Sequence, residues 1–210
     1  TKITGGGNLI LGSESFKNAE LKGNTGDGSS ITYELTGGAT MANTNSNRYF
    51  RWTTVGAYVA KGVTLCLSVM YKPVSGADEF CMELAYTAGY STSQSWATIK
   101  PTDQLEIEQT DGWVLRYGLW TPPDNATLKL VDMGSGTTHA GTGNYTNKFS
   151  LLHPMLQYGN APTAWNASSG DYLTQESAKS LFSQTADEIK TEVTKSVTET
   201  VTANVKDTAT

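Results

Sequence analysis

"GVTLCLSVMYK", residues 62–72, has the clearest alternation of apolar and polar side chains in the chain. Its side chains alternate between two sets, and a period of two is typical of a β-strand, whereas a helix repeats every 3.6 residues. One set is apolar and is expected to face a core: Val63, Leu65, Leu67, Val69 and Tyr71. The other set would form the opposite face: Thr64, Cys66, Ser68 and Met70. The segment therefore predicts a strand with one buried side.

Two further stretches repeat this alternation. In "DEFCMELAY", residues 78–86, the predicted inward set is Phe80, Met82, Leu84 and Tyr86, against Cys81, Glu83 and Ala85. In "GWVLRYGLW", residues 112–120, the predicted inward set is Trp113, Leu115, Tyr117 and Leu119, against Val114, Arg116 and Trp120. Other strands are predicted at residues 8–12, 30–36, 48–59, 94–99, 104–109, 125–132 and 147–158. About ten short strands separated by Gly, Ser, Thr and Asn predict two sheets packed face to face.

Bulk composition excludes several classes of function. The chain has 15 Lys and Arg against 20 Asp and Glu, which gives a net charge of −5. Nucleic-acid binding rests largely on basic side chains, so no nucleic-acid partner is expected. An apolar run of about 18 residues, which a membrane span needs, does not occur, so no membrane insertion is expected. The opening "TKITGGGN" is interpreted as a linker inside a longer polypeptide.

The pattern changes after Asp171. Residues 173–207 contain no Gly or Pro, and Leu181, Phe182, Ile189 and Val193 recur at helical spacing. Val193, Val197, Val201 and Val205 then repeat every four residues, interleaved with Thr, and a lone helix of this kind is marginal in water. We therefore expect a helix that associates with copies of itself, with a frayed linker as the alternative. The predicted organisation is a linker at 1–7, a sandwich at 8–170 and a helical connector at 171–210.

The two cysteines leave two interpretations open. If the strands around Cys66 and Cys81 form a hairpin through "KPVSGA", the two thiols face the same way and could form a disulfide. The alternative is a pair of reduced, buried thiols, because free cysteine behaves as a small apolar residue. Together with His139 and His153 they match no zinc-binding spacing.

Four motifs in order resemble a known family. They are "NLILGSESF" (8–16), "YVAKGVTLCLSVMYKPVSG" (58–76), "DGWVLRYGLWTPPDNATLKL" (111–130) and "LLHPMLQYGNAPTAWNASSGD" (151–171). Together they resemble the carbohydrate-binding-module-like jelly rolls of bacteriophage and prophage tail proteins. The family's closing series is matched by Gly159, Thr163, Trp165 and Asp171. The segment "SLFSQTADEIKTEVTKSV" (180–197) is similar to the helical connectors that follow such modules.

This resemblance implies an all-β, jelly-roll β-sandwich of the carbohydrate-binding-module or galactose-binding kind, followed by a C-terminal α-helix that could form a coiled coil. It implies a non-catalytic adhesion module of the virion tail, assembled in the bacterial cytoplasm. The expected partners are bacterial surface saccharides, other tail proteins and two further copies of the chain in a homotrimer. A structural spacer domain of a tail fibre without sugar binding is the competing interpretation.

Candidate saccharide contacts follow from sugar chemistry, because the apolar C–H faces of sugar rings stack on aromatic side chains. Trp96 and Trp120 are the main candidates, with Tyr90, Trp52 and Tyr86 as additions. Glu83 and Arg116 could bind sugar hydroxyls, and His139 and Tyr145 are weaker candidates in a glycine-rich loop. For each aromatic, an ordinary core or edge position is the alternative.

Two other tryptophans are interpreted as structural. Trp165 is expected to fold back and seal the open end of the sandwich, with its N–H bonded to the backbone. Trp113 is expected in the core, because it is in phase with Leu115 and Leu119.

Catalysis and cofactors have little support in the sequence. Glycoside hydrolysis needs two carboxylates at a controlled separation, but Glu106 and Glu108 share one strand face without an evident partner. Neither histidine lies in a nucleophile motif. The chain is therefore predicted not to be an enzyme and to need no cofactor, with a structural calcium at Glu14 and Asp171 as a minor alternative.

Overall fold

Residues 7–24, 28–136 and 144–168 are described by the structure, a computed structural model of the protein. They belong to the first unit, Thr1–Gly170, of the two into which the chain divides. The predicted helix and its trimer at 171–210, and with them Asp171 and His139, lie outside the described residues. Those expectations stay predictions.

Within the described residues the regular secondary structure is almost entirely β-strand. Short 3₁₀ helices at Phe16–Asn18 and Pro101–Asp103 interrupt it. The strands are β1 (Glu20–Asn24), β2 (Ser30–Tyr33), β3 (Ala39–Thr53), β4 (Tyr58–Val59), β5 (Leu65–Gly76), β6 (Phe80–Ala88), β7 (Gln94–Ile99), β8 (Leu105–Glu108), β9 (Val114–Trp120), β10 (Ala126–Ser135) and β11 (Tyr145–Tyr158). Every pairing between these strands is antiparallel.

Strand β3 makes one continuous sheet curl into two layers. Its first half pairs with β2 and β11, and its second half pairs with β1 and β10. The halves meet near Asn45, whose φ of 48° lies in the left-handed region that Asn tolerates better than most residues. We call β7-β6-β10-β3-β1, with β4 beside β10, the first layer, and β2-β3-β11-β5-β9-β8 the second layer. The predicted all-β sandwich is confirmed at this level.

The core lies between the two layers, and the alternation in β5 and β6 predicted its members. Eight of the nine side chains expected to point inward are buried, and Val63, which precedes β5, is half-buried; the eight are Leu65, Leu67, Val69, Tyr71, Phe80, Met82, Leu84 and Tyr86. The prediction of a single buried side is wrong, because most of the opposite set is buried as well: Cys66, Ser68, Cys81, Glu83 and Ala85. Rings of opposite layers meet directly, with Tyr71 and Phe80 centroids 5.0 Å apart. Each such side chain contributes about 1.5–3 kcal/mol when fully buried.

The predicted phase of β9 is wrong. Arg116 points inward and is buried, whereas Leu119 is 41% exposed and Trp113 lies outside the core cluster. Arg116 is accommodated because Asp78 and Glu106 bind its guanidinium, which also lies 4.0 Å from the Tyr71 ring. Gly118 is inward as well, where a Cβ would lie 2.4 Å from Ile99 Cγ2, so the absence of a side chain lets the layers approach.

The hairpin between β5 and β6, on which a disulfide would depend, does not form. The two strands follow each other in the chain but lie in different layers, so Cys66 is opposite Leu119 and Gln157 while Cys81 is opposite Gly134. Both thiols are free and buried, and desolvation raises the pKa of each to about 12. The reduced alternative is the one that the structure supports.

The predicted strand boundaries agree with the observed ones in some regions and not in others. Residues 94–99 match β7, and residues 147–158 fall within β11. Residues 8–12 form no strand, only isolated bridges from Asn8 to Ser168 and from Ile10 to Thr54. Residues 48–59 divide between the end of β3 and β4, and β1 was not predicted at all.

Residues 159–168, which we call the closing segment, fold back on the second layer. Trp165 Nε1 donates to the Pro154 carbonyl at 3.2 Å, which confirms the predicted backbone bond. Its ring stacks on His153 at 4.5 Å and borders a cavity with Ser68 and Met70, which alternate with the core residues of β5. Trp165 therefore covers the outer face of the second layer rather than the open end of the sandwich.

In the described ranges, no helix has both the length and the apolar character needed to cross a membrane.

Candidate functional site

A row of polar side chains lies on the outer face of the first layer, on the side away from the core. In β3, Phe50 and Trp52 point into the core, so the alternating residue Arg51 points outward. The strand register places Arg51 opposite Asp132, Asp132 opposite Glu83, and Glu83 opposite Thr98. These four residues cross β3, β10, β6 and β7 in one line, which we call the polar row.

Hydrogen bonds fix the side chains of the polar row. Arg51 Nε and Nη2 donate to the two carboxylate oxygens of Asp132 at 2.8 and 2.7 Å. Thr98 Oγ1 donates to Glu83 Oε1 at 2.8 Å. Both carboxylate residues are 0% exposed although they lie on the outer face. The hydrogen bond with Asp132 raises the pKa of Arg51. The charged side chains of this face are held in fixed orientations by their hydrogen bonds.

An indole lies beside the polar row. Trp96 is on β7 two residues before Thr98 and is paired with Ala85 of β6. The Arg51 guanidinium carbon lies 5.3 Å from the Trp96 ring centroid and 5.6 Å from that of Tyr49. Arg51 thus contacts both Tyr49 of β3 and Trp96 of β7, although β10 and β6 lie between these two strands. The face combines a flat ring with oriented hydrogen-bonding groups.

A cavity of about 570 Å³ continues this face beyond Trp96. Thr87 and Gln94, which are paired on β6 and β7, line it together with Ser91, Thr92, Lys129 and Leu130. Tyr90 is fully exposed in the loop that supplies Ser91 and Thr92. The hydroxyl, amide and ammonium groups around the cavity can donate to or accept from a polar ligand.

The predicted saccharide contacts divide between this face and the interior. Trp96 and Glu83 lie on the face, and Tyr90 lies in the loop next to the cavity. Trp52 and Tyr86 are buried in the core, so neither ring is accessible for stacking on a sugar.

The remaining candidates lie toward the core or away from the face. Trp120 packs against the Tyr86 ring at 4.7 Å, and Arg116 is held inside by Asp78 and Glu106. Tyr145 is half-buried on β11, and desolvation raises the pKa of its hydroxyl. The outward phase assumed for Trp120 and Arg116 follows from the wrong phase of β9.

Sequence reasoning missed Arg51, Asp132 and Tyr49. The signal was present in "RYFRWTT", residues 48–54, where Tyr49 and Arg51 are out of phase with Phe50 and Trp52. Asp132 gave no such signal, because its importance comes from the pairing of β10 with β3, two strands far apart in the chain.

Metal binding finds no support on this face. In the described ranges no three His, Cys, Asp or Glu side chains form a group that could hold a metal ion. Glu14, one of the two residues considered for calcium, accepts a hydrogen bond from Asn18 at 2.7 Å.

No protein-family model matches the chain, and no curated protein sequence matches it. Several solved structures are similar to it at low identity. The enzymatically active domain of tailspike protein 4 of bacteriophage CBA120 has a TM-score of 0.45 and 11% identity, over 72% of this chain and 21% of that one. A family 16 carbohydrate-binding module has a TM-score of 0.42 and 14% identity, over 71% of this chain and 99% of the module.

A third similar structure is the family 11 carbohydrate-binding module of a cellulosomal cellulase of Clostridium thermocellum. Its TM-score is 0.41 and its identity 14%, over 76% of this chain and 98% of the module. The chain thus spans nearly the whole of the two isolated modules but about a fifth of the tailspike structure.

Proposed function

We propose that the protein is a non-catalytic module that binds saccharide chains on the outer face of its first layer. The observation that carries the proposal is the position of Trp96 beside the polar row Arg51, Asp132, Glu83 and Thr98. A sugar ring offers an apolar C–H face to an indole and several hydroxyls to neighbouring polar groups. This face offers both kinds of contact within a few strands.

The charges of the face suit hydroxyl recognition. Glu83 and Asp132 are 0% exposed, so they hold Thr98 and Arg51 in place and do not themselves contact a ligand. The half-buried Arg51 and Thr98 side chains and the polar groups around the cavity are the ones that can bind sugar hydroxyls. Side chains that are fixed before binding lose little conformational entropy when the ligand arrives. The cavity next to Trp96 gives room for the neighbouring units of an extended chain.

A hydrolytic role has less support than binding. Both oxygens of Asp132 accept hydrogen bonds from Arg51, an arrangement that does not suit a group that must give or take a proton during glycoside cleavage. Glu106, which was considered as a second carboxylate, binds Arg116 in the other layer. The proposal is therefore one of adhesion.

The proposal includes a setting in the tail of a bacteriophage virion, assembled in the bacterial cytoplasm, with other tail proteins as neighbours and bacterial surface glycans as ligands. Its support is the sequence resemblance over the motifs of residues 8–171 and the connector-like segment 180–197. Self-association through residues 171–210, as a homotrimer, would raise the avidity of several weak sites that engage one surface. Light scattering of the chain with and without residues 174–210 tests that part, and a monomer in both cases refutes it.

Glycan binding is tested with an array of bacterial surface polysaccharides and with Trp96→Ala. We expect the variant to bind at least about tenfold more weakly, since an aromatic contact contributes on the order of 1 kcal/mol beyond its buried area. Trp113→Ala is the matched control, because Trp113 is an indole of the second layer that borders neither this face nor its cavity. Absence of binding to every glycan would favour a structural spacer domain, and equal loss in both variants would point to general destabilisation.

A further inference from the structure

A second cavity, of about 190 Å³, lies on the opposite side of the molecule between the closing segment and the second layer. Its floor is formed by Ser68 and Met70 of β5, Met155 of β11 and Leu115 of β9. Thr163, Ala164 and Trp165 of the closing segment border it from above, with Gln109 and His153 at its sides. It shares no residue with the face that carries Trp96.

An irregularity in β11 lies beside this cavity. The register with β5 shifts between Leu152 and Met155, and the intervening His153 has a φ of 58°, in a region that L-residues other than Gly seldom adopt. Pro154, which cannot donate to the ladder, lies in the same irregularity, and its carbonyl accepts from Trp165 Nε1. Backbone strain of this kind is retained only where the surrounding structure enforces it, and it often accompanies binding sites.

Three polar side chains border the cavity beside its apolar ones. Ser68 is 1% exposed, and its side chain borders the cavity. The His153 ring stacks on Trp165, but neither ring nitrogen is hydrogen-bonded there. Gln109 donates through its amide nitrogen to Ile107, which leaves its carbonyl oxygen available. Ser68 is buried, His153 is half-buried and Gln109 is exposed at the edge of the cavity, so all three side chains can hydrogen-bond to a ligand that enters it.

We propose that this cavity is a second binding site, for a single neutral ring with several hydroxyl groups such as one hexopyranose unit. The described residues that border it carry no carboxylate, ammonium or guanidinium group, which excludes selection by charge. Methionine, leucine and indole surfaces suit the C–H face of the ring, while Ser68, Gln109 and His153 suit its hydroxyls. A cavity of about 190 Å³ has room for one such ring and not for a chain of them.

The test is a titration of the full chain with methyl α-D-glucopyranoside, methyl α-D-galactopyranoside and methyl β-N-acetylglucosaminide, followed by two-dimensional NMR. We expect saturable shifts for one of them with a dissociation constant on the order of 1 mM, as small neutral ligands give. Ala164→Phe should weaken this binding at least about tenfold by filling the cavity. Because Ala164 is exposed, the larger side chain has little effect on folding.

Ala161→Phe is the matched control, since Ala161 is also an exposed alanine of the closing segment but does not border the cavity. The proposal requires Ala161→Phe and Trp96→Ala to bind the glycoside as the unchanged chain does. It is overturned if none of the three glycosides binds, or if Trp96→Ala abolishes the binding while Ala164→Phe preserves it. Failure here leaves glycan binding on the first layer unaffected, because that is measured separately with Trp96→Ala.

Discussion

Asn8 donates twice to Asn166 across 158 residues of chain: its main-chain N–H donates to Asn166 Oδ1 at 3.1 Å, and its Nδ2 donates to the Asn166 carbonyl at 3.1 Å. The same Asn8 amide nitrogen also donates to Ser13 and to the Pro154 carbonyl at 2.9 Å. Its Oδ1 accepts from the N–H groups of Ile10 and Leu156. One buried side chain therefore joins the N-terminal residues, β11 and the closing segment.

Asn8→Ala is expected to lower the free energy of unfolding by about 3 kcal/mol, because several buried donors and acceptors lose their partner at once. Urea denaturation followed by tryptophan fluorescence measures this change. Asn18→Ala is the control, because Asn18 is exposed and its bonds to Gly12 and Glu14 compete with water. A loss for Asn8→Ala no greater than for the control would contradict the joining role.

His153 predicts a pH dependence of stability. Burial lowers the pKa of its imidazole below the ordinary 6.5, so the unfolded chain takes up this proton more readily than the folded chain. The contribution of the neutral His153 imidazole to the free energy of folding is fully present above pH 6.5, and it decreases as the pH falls below that value. The thermal midpoint of the chain should therefore fall more between pH 7.5 and pH 5 than that of His153→Asn, which has no imidazole and tolerates a positive φ. Parallel curves for the two proteins would refute the assignment to His153.

Cys66 and Cys81 should resist thiol reagents in the folded protein. Burial raises the pKa of each thiol to about 12, so almost no thiolate is present at neutral pH. Ellman's reagent at pH 8 is expected to react with neither residue in buffer and with both in denaturant. Rapid reaction in buffer would contradict their burial, and lack of reaction in denaturant without reductant would indicate a disulfide.

The alternation of β5 and β6 could be predicted because each strand has one uniformly apolar set. The same alternation gave the wrong phase for strand β9. A charged residue in a strand is expected to face solvent, but Arg116 points inward because acids from two other segments, Asp78 and Glu106, bind it. Leu115 and Leu119 are then forced outward, and Leu115 meets the closing segment at the second cavity. The residues of β9 alone do not indicate that Asp78 and Glu106 bind Arg116.

The candidate face was only partly predictable for a related reason. Trp96 stood out because a polar segment had no evident use for a large ring, and Glu83 followed from the phase of β6. Arg51 and Asp132 belong to the candidate face because strand β3 pairs with strand β10. Their side chains bond across 81 positions of the chain. Long-range pairing of this kind leaves no mark in a single sequence.

Arg51→Lys tests whether the geometry of the polar row, and not merely its charge, supports saccharide binding. The guanidinium makes two parallel bonds to Asp132 and lies over Trp96, whereas an ammonium acts as a point charge that cannot make the paired contact. We expect Arg51→Lys to weaken glycan binding about tenfold and to lower the free energy of unfolding by about 1–2 kcal/mol. Calorimetric titration and urea denaturation measure the two effects.

Arg48→Lys provides the matched control for this last prediction. Arg48 is on the same strand, three residues earlier, and like Arg51 is at least partly buried, but it forms no ion pair with any described residue. Desolvation lowers the pKa of its guanidinium, so replacing it should change stability without changing glycan affinity. If Arg51→Lys bound glycan as well as the unchanged chain did, the orientation of Trp96 and Asp132 by Arg51 would be irrelevant, and the ligand would have to contact another part of the first layer.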